Sequence, residues 1–134
     1  MRHFTVQEAN EALGEIRPLV ERMVEHRRIL ARHEDELQRV GRHVAGNGGG
    51  LDAARVGGVR AAAVEAGGEL SRAIEAVEAA GAQIKDIDRG LVEFPALHPI
   101  DGETVLLCWL LGEDEIAFWH GLDEGFAGRK PLPF

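Results

Sequence analysis

The chain has 134 residues, of which 45% are hydrophobic and 28% charged, and it carries a formal net charge of −8 at pH 7. This length and composition predict one soluble globular domain over residues 1–134, with a core that needs no disulfide. The acidic balance argues against nucleic-acid binding, because phosphate contacts need clustered Lys and Arg.

The first eighty residues carry a helical pattern. Thr5 and Glu8 have the spacing of a capping box, in which each side chain accepts a hydrogen bond from the other residue's backbone N–H. Apolar residues then recur every three or four positions. Pro18 predicts a kink or break near residues 14–18, because its ring presses on the carbonyl four residues earlier. We expect this helix to continue to about His43.

A glycine-rich connector, residues 45–50, separates this helix from a second one. The connector lacks both the Gly-Lys-Ser/Thr ending and the preceding strand of a phosphate loop, so we interpret it as a mobile link without a function of its own. The second helix is predicted from about Gly57 to Ala80. The two helices predict an antiparallel hairpin over residues 5–81, whose unequal lengths leave an apolar stripe and therefore predict a homodimer.

From Ala82 the apolar residues alternate, and this predicts a small antiparallel β-meander over residues 82–119. A three-residue loop with Gly90 in the left-handed position is a standard hairpin closure. The other predicted turns lie at residues 101–102 and 112–114, and they precede predicted strands Glu103–Leu111 and Ile116–Trp119.

The predicted fold class is therefore α+β. A long antiparallel helical hairpin packs on one face of an antiparallel meander of three to four strands. Strand 103–111 is apolar on both faces, so the second face is predicted to be covered by the C-terminal tail, residues 120–134, or by a second subunit.

Three groups of residues resemble one family. They are His3-Phe4-Thr5 with Glu8-Ala9 and Arg17-Pro18-Leu19-Val20; Lys85-Asp86 with Asp88, Gly90-Leu91-Val92 and Phe94-Pro95; and Cys108-Trp109, Gly112-Glu113, Ile116, Trp119-His120, Gly125-Phe126 and Gly128-Arg129. On these motifs the chain resembles the prokaryotic domain of unknown function twenty-two-oh-three family, over nearly its whole length except the connector. The resemblance implies the domain boundaries and a bacterial or archaeal origin, and it implies no particular reaction.

Asp86 is the first candidate site residue. In the predicted register it shares an apolar strand face with Val92 and Phe94, whereas Glu93 lies on the opposite face. A carboxylate on an apolar face must be hydrogen-bonded, paired or bound to a metal. The alternatives are therefore the backbone N–H groups of a turn, a pair with Arg129 or His120, or a metal that His120 also binds.

The remaining candidates fall in the last thirty residues, which contain both tryptophans and the only cysteine. Histidine is the commonest metal ligand, and a set of Asp86, Cys108, Glu113 and His120 predicts a site for a divalent transition metal, Fe, Mn or Zn. The structural alternatives are that Cys108 is a small buried apolar residue and that His120 is a hydrogen-bonded core or rim residue.

Three further side chains have a ligand-binding and a structural interpretation. Arg129 can clamp a carboxylate or phosphate, or it can pair with Asp86 or Glu113. Trp109 and Trp119 can wall a ligand pocket, or they can be the largest pieces of a small core.

No part of the sequence predicts export or membrane insertion. The chain opens Met-Arg-His-Phe-Thr and becomes polar at once, and no apolar run approaches the roughly 20 residues of a membrane span. The single cysteine excludes an intrachain disulfide. We expect a cytoplasmic protein that binds neither membrane nor nucleic acid.

Two functional hypotheses follow from these residues. The first is a metal-binding or small-ligand-binding protein, with its site in the sheet and tail. The alternative is a non-catalytic homodimeric interaction module, in which the same residues lock the tail onto the sheet. The sequence leaves open whether the protein is an enzyme.

Overall fold

The fold is that of a computed structural model, which describes residues 2–47 and 53–134. Two long helices form a hairpin that packs against an antiparallel sheet whose strands follow each other in chain order. The predicted α+β architecture is confirmed, with five strands instead of three to four. The elements are α1 (Val6–Asn47), α2 (Ala53–Ala79), β1 (Gln83–Asp86), β2 (Leu91–Leu97), β3 (Thr104–Leu110), β4 (Phe118–Gly121), a 3₁₀ turn (Phe126–Gly128) and β5 (Lys130–Pro131).

Helix α1 begins at the predicted capping box. The Glu8 backbone N–H donates to Thr5 Oγ1 at 3.0 Å, and the Thr5 N–H donates to Glu8 Oε1 at 2.9 Å. Of the predicted kink or break near Pro18, the break is wrong, since the helix continues through this residue. Proline removes one helical hydrogen bond, but Ile16 and Val20 on either side are fully buried, and this packing offsets the loss.

The link between the helices is shorter than predicted. Residues 45–47 belong to α1, and α2 begins at Ala53. Residues 48–50, the rest of the predicted mobile connector, lie outside the described residues. No helix in the described ranges is long and apolar enough to cross a membrane.

One face of the sheet forms the core with the helices. Because successive side chains of a strand point to opposite faces, alternate residues of β2 and β3 enter this core. The helical contribution comes from residues three or four apart on α1 and from Leu70, Ala73 and Val77 of α2. The buried members include Ala9, Leu13, Ile16, Val20 and Met23 of α1 and Val92, Phe94, Val105, Leu107 and Trp109 of the sheet.

The other face of the sheet is covered by the C-terminal tail, one of the two predicted alternatives. The Arg129 guanidinium lies over the Phe118 ring of β4, with 3.9 Å between its Cζ atom and the ring centroid. It also contacts the ring of Phe126, in the 3₁₀ turn, at 4.6 Å. This cover leaves Cys108 on β3 with no exposed surface.

The first hairpin closes at Gly90 as predicted, with φ of +71°, but its register differs from the prediction. The pairing is irregular between Ile84 and Asp86, so that Asp86 lies opposite Leu91. The extra residue, Lys85, moves Asp86 from the face of Val92 to the opposite face.

Strand β4 begins two residues later than predicted. The Ile116 N–H donates to the Asn10 side chain on α1 at 2.8 Å and is therefore not available to a sheet partner. The strand then includes His120, which the prediction placed in the tail. His120 lies opposite Leu106 of β3.

Candidate metal centre

Three adjacent strands each contribute one polar side chain to the tail-covered face of the sheet. Glu93 of β2 lies opposite Cys108 of β3, and His120 of β4 lies opposite Leu106, two residues from Cys108. Residues opposite each other or two apart share a face, so the three side chains converge. Their exposed fractions are 2%, 0% and 1%, and one ligand atom from each lies within 4.8 Å of the others.

His120 is held by hydrogen bonds at both ring nitrogens. Its Nδ1 lies 2.8 Å from the Gly121 carbonyl oxygen, and its Nε2 is hydrogen-bonded to Glu93 Oε2. Because a carbonyl oxygen only accepts, Nδ1 must carry a proton and donate it. The ring is thereby fixed with Nε2 towards the cluster, the orientation that such a hydrogen bond gives to metal-binding histidines.

The second carboxylate oxygen of Glu93 lacks a hydrogen-bond partner. Glu93 Oε1 is buried, and the nearest cation is Lys85, whose Nζ lies 3.6 Å away. That separation permits electrostatic attraction but is long for a hydrogen bond. A buried acceptor without a donor is costly, and a bound cation would satisfy it.

The Cys108 side chain is a thiol in this environment. Burial raises its pKa from 9.0 to about 11; nearby Arg129 opposes the shift, while Glu93 and Glu113 add to it. Cys108 is therefore protonated at neutral pH and is a poor nucleophile by itself. A metal ion reverses this preference, because its charge stabilises the thiolate.

Nearly the whole chain matches one known protein family. The family described as "Uncharacterized conserved protein (DUF2203)" matches residues 2–132. The chain belongs to this family. No curated protein and no solved structure gives a significant match. DUF2203 membership confirms the resemblance seen in the sequence motifs, and the matched range includes all three residues of the cluster.

Of the four predicted metal ligands of this DUF2203 chain, Cys108 and His120 come together. Asp86 is absent from the cluster, since its Oδ1 accepts the Arg89 backbone N–H of the adjacent turn at 3.0 Å. This turn hydrogen bond is one of the alternatives predicted for Asp86. Glu113 is absent too, because its carboxylate accepts the Leu110 N–H at 2.7 Å and pairs with the tail arginine.

Glu93 is the member of the cluster that was not among the predicted site residues. The predicted hairpin register places Glu93 on the face away from Asp86. The available signal was its position: Glu93 is the only charged residue in the buried run from Leu91 to Ala96. A carboxylate within such a buried run must be hydrogen-bonded, paired or bound to a metal, as must Asp86 on its predicted apolar face.

The other predicted site residues have structural contacts. Arg129 Nη2 pairs with Glu113 Oε2 at 2.6 Å, one of the predicted alternatives. Trp109 and Trp119 do not wall the cluster, because they lie opposite Val92 and Leu107 on the face that meets the helices. Their structural interpretation therefore describes them better than the pocket interpretation.

Proposed function

We propose that the protein binds one divalent transition metal ion through Glu93, Cys108 and His120. The convergence of these three buried side chains, with ligand atoms within 4.8 Å of one another, carries the proposal. Of the three metals considered from the sequence, Zn²⁺ and Fe²⁺ suit a thiolate better than Mn²⁺, which prefers oxygen ligands. Zn²⁺ is the best match to this mixed sulfur, nitrogen and oxygen set.

The dimensions of the cluster suit a tetrahedral ion. Zinc bonds of about 2.0–2.3 Å place neighbouring ligand atoms roughly 3.3–3.6 Å apart. The Glu93 and His120 atoms, which are hydrogen-bonded to each other, would separate slightly on binding, and Cys108 Sγ lies within 4.8 Å of both. Small side-chain rotations would bring the three ligand atoms to the distances of a zinc site.

The number of protein ligands bears on the role of the metal. Structural zinc sites are usually closed by four protein ligands, whereas three ligands leave a fourth position for water or a small molecule. A carboxylate and a thiolate together also neutralise the charge of a divalent ion. The proposed centre is therefore one that binds a small ligand on the metal.

Cobalt titration tests the proposal, because Co²⁺ occupies zinc sites and gives a thiolate-to-cobalt charge-transfer absorption band. We expect one Co²⁺ per chain, with loss of the charge-transfer band in Cys108→Ser and weakened binding in Glu93→Gln and His120→Gln. Far-ultraviolet circular dichroism checks that each variant is folded.

Asp86→Asn and His26→Gln are matched controls that remove a carboxylate and an imidazole elsewhere in the chain. Both should bind Co²⁺ like the unmodified protein. Absence of binding by the folded protein would refute the proposal, as would equal losses in the controls and the cluster variants.

A second function, self-association without catalysis, is favoured by exposed apolar side chains near one end of the sheet. Leu97, Ile100 and Phe134 are 52%, 87% and 38% exposed. Such a patch is characteristic of an interaction surface, and a second copy of the chain is the partner predicted from the sequence. A solution mass of twice 14.6 kDa would support a homodimer, whereas 14.6 kDa at micromolar concentration would exclude it.

A further inference from the structure

A buried arginine lies beside the proposed metal centre. The guanidinium of Arg129 stacks on Phe118, which is opposite Cys108 in the β3–β4 ladder. Its side chain is 10% exposed. The positive charge of Arg129 is therefore held on the same face of the sheet as Glu93, Cys108 and His120.

The hydrogen bonding of Arg129 is incomplete. Its Nη2 donates to Glu113 Oε2 at 2.6 Å, but its Nε is buried without an acceptor. A guanidinium presents several donors in one plane, and a pair of them matches two oxygens of an oxyanion. The unpaired Nε therefore marks a position for an acceptor that the chain itself does not supply.

A second arginine approaches the same place from the β1–β2 turn. The Cζ atom of Arg89 lies 4.7 Å from the centroid of the Phe126 ring, and Arg129 lies 4.6 Å from that centroid. Within the described residues, Arg89 has no ion pair with a carboxylate. Both guanidinium groups contact the Phe126 ring, and only Arg129 is paired with a carboxylate, that of Glu113, so the two arginines leave a positive charge that an anion would balance.

We propose that Arg129 and Arg89 bind an oxyanion, the carboxylate or phosphate group of a small-molecule ligand, beside the Glu93–Cys108–His120 cluster. The inference rests on the proposed metal function, because one oxygen of the ligand would take the open position on the metal. Charge-assisted hydrogen bonds from Arg129 Nε and the Arg89 guanidinium would hold the other oxygens. The proposed site thus selects small anionic ligands.

The test uses the full chain loaded with Co²⁺ and two probes, inorganic phosphate and acetate, titrated separately at constant ionic strength. We expect at least one anion to change the cobalt spectrum and to bind by calorimetry, and the stronger of the two identifies the ligand class. In protein saturated with Co²⁺, Arg89→Gln should weaken binding of that anion at least about tenfold, the loss of one charge-assisted hydrogen bond.

Arg28→Gln is the matched control, since Arg28 is an exposed arginine on α1. It should bind the anion like the unmodified protein. If cobalt binds but neither anion does, or if both arginine variants bind the anion equally, the inference is wrong while the metal proposal stands.

Failure of cobalt binding would refute the metal proposal separately. Calorimetric titration of the metal-free protein with phosphate and acetate would then test whether Arg89 and Arg129 bind an oxyanion. Phosphate or acetate binding that Arg89→Gln weakens would support an oxyanion site, and the absence of such binding would overturn it.

Discussion

Glu93 and His120 are separated by 27 positions in the chain, yet their side chains are hydrogen-bonded to each other inside the sheet. Strand β3 lies between their two strands, and Cys108 on that strand completes the cluster. The pair is at most 3% exposed, so water cannot replace either partner. Its energetic role can be measured separately from metal binding.

Removal of one partner from this pair should be strongly destabilising in the metal-free protein. His120→Phe leaves the buried Glu93 carboxylate without its hydrogen-bond partner, with only Lys85 at 3.6 Å as a nearby cation, and we expect a loss of about 3–5 kcal/mol in unfolding free energy. Glu93→Leu combined with His120→Phe should cost less than the sum of the single changes. Urea unfolding measures the loss of unfolding free energy in His120→Phe, in Glu93→Leu and in the double variant. Strictly additive losses would show that the pair is not coupled.

The Cys108 thiol gives the metal-free protein a specific pH dependence. Burial raises its pKa from 9.0 to about 11, so the folded protein binds the thiol proton more tightly than the unfolded chain does. Its stabilising effect is complete below pH 9 and is lost as the pH rises towards 11. The loss is on the order of 2–3 kcal/mol, since one pKa unit corresponds to about 1.36 kcal/mol.

Urea unfolding of the protein and of Cys108→Ala over this pH range isolates the thiol. Both proteins contain the same other titrating groups, and only the parent chain should lose this additional stability. Curves that fall in parallel would contradict the assignment of a raised thiol pKa.

Arg129 should be coupled to Glu113 and independent of Asp86. The Arg129–Glu113 pair is largely buried, so Arg129→Met should cost about 1–3 kcal/mol, between the values typical of exposed and buried pairs. Asp86→Asn affects only a turn hydrogen bond and should cost about 1 kcal/mol or less. Double-mutant cycles should give non-additivity with Glu113→Gln and additivity with Asp86→Asn; the reverse pattern would contradict the contacts described above.

Two glycines with similar backbone angles provide a matched test of packing. Gly90 and Gly102 have φ of +71° and +73°. A Cβ atom added at Gly90 would lie 2.8 Å from Leu111 Cβ, whereas a Cβ atom added at Gly102 would have no neighbouring heavy atom within 4 Å in the described structure. Gly102→Ala should cost about 1–2 kcal/mol through its backbone alone. Gly90→Ala should cost about 1–3 kcal/mol more through overpacking, and equal melting temperatures for the two variants would exclude this difference.

The features that the sequence predicted well depend on local interactions. The capping box at Thr5 and the hairpin turn at Gly90 involve residues within a few positions of each other. Helical and alternating apolar periods likewise identify helices and strands without knowledge of their partners. The hairpin-on-sheet architecture was therefore predictable from short windows of sequence.

The candidate site was only partly predictable because strand register depends on distant contacts. The irregularity at Lys85 moves Asp86 to the other face of the sheet. Ile116 donates its N–H to Asn10 on α1 and lies outside β4, which runs from Phe118 to Gly121 and includes His120. A shift of one residue exchanges the two faces of a strand. Residue type alone therefore points to Cys108 and His120, whereas only the observed strand pairing identifies Glu93.

The ligands of a bound metal test the central claim most directly. Zinc-edge X-ray absorption on protein containing one Zn²⁺ per chain should show one sulfur at about 2.3 Å and nitrogen or oxygen ligands at about 2.0–2.2 Å. Cys108→Ser should remove the sulfur signal, whereas Asp86→Asn should preserve the spectrum. Failure to retain zinc, or a spectrum of the unmodified protein without sulfur, would contradict a Glu93–Cys108–His120 metal centre.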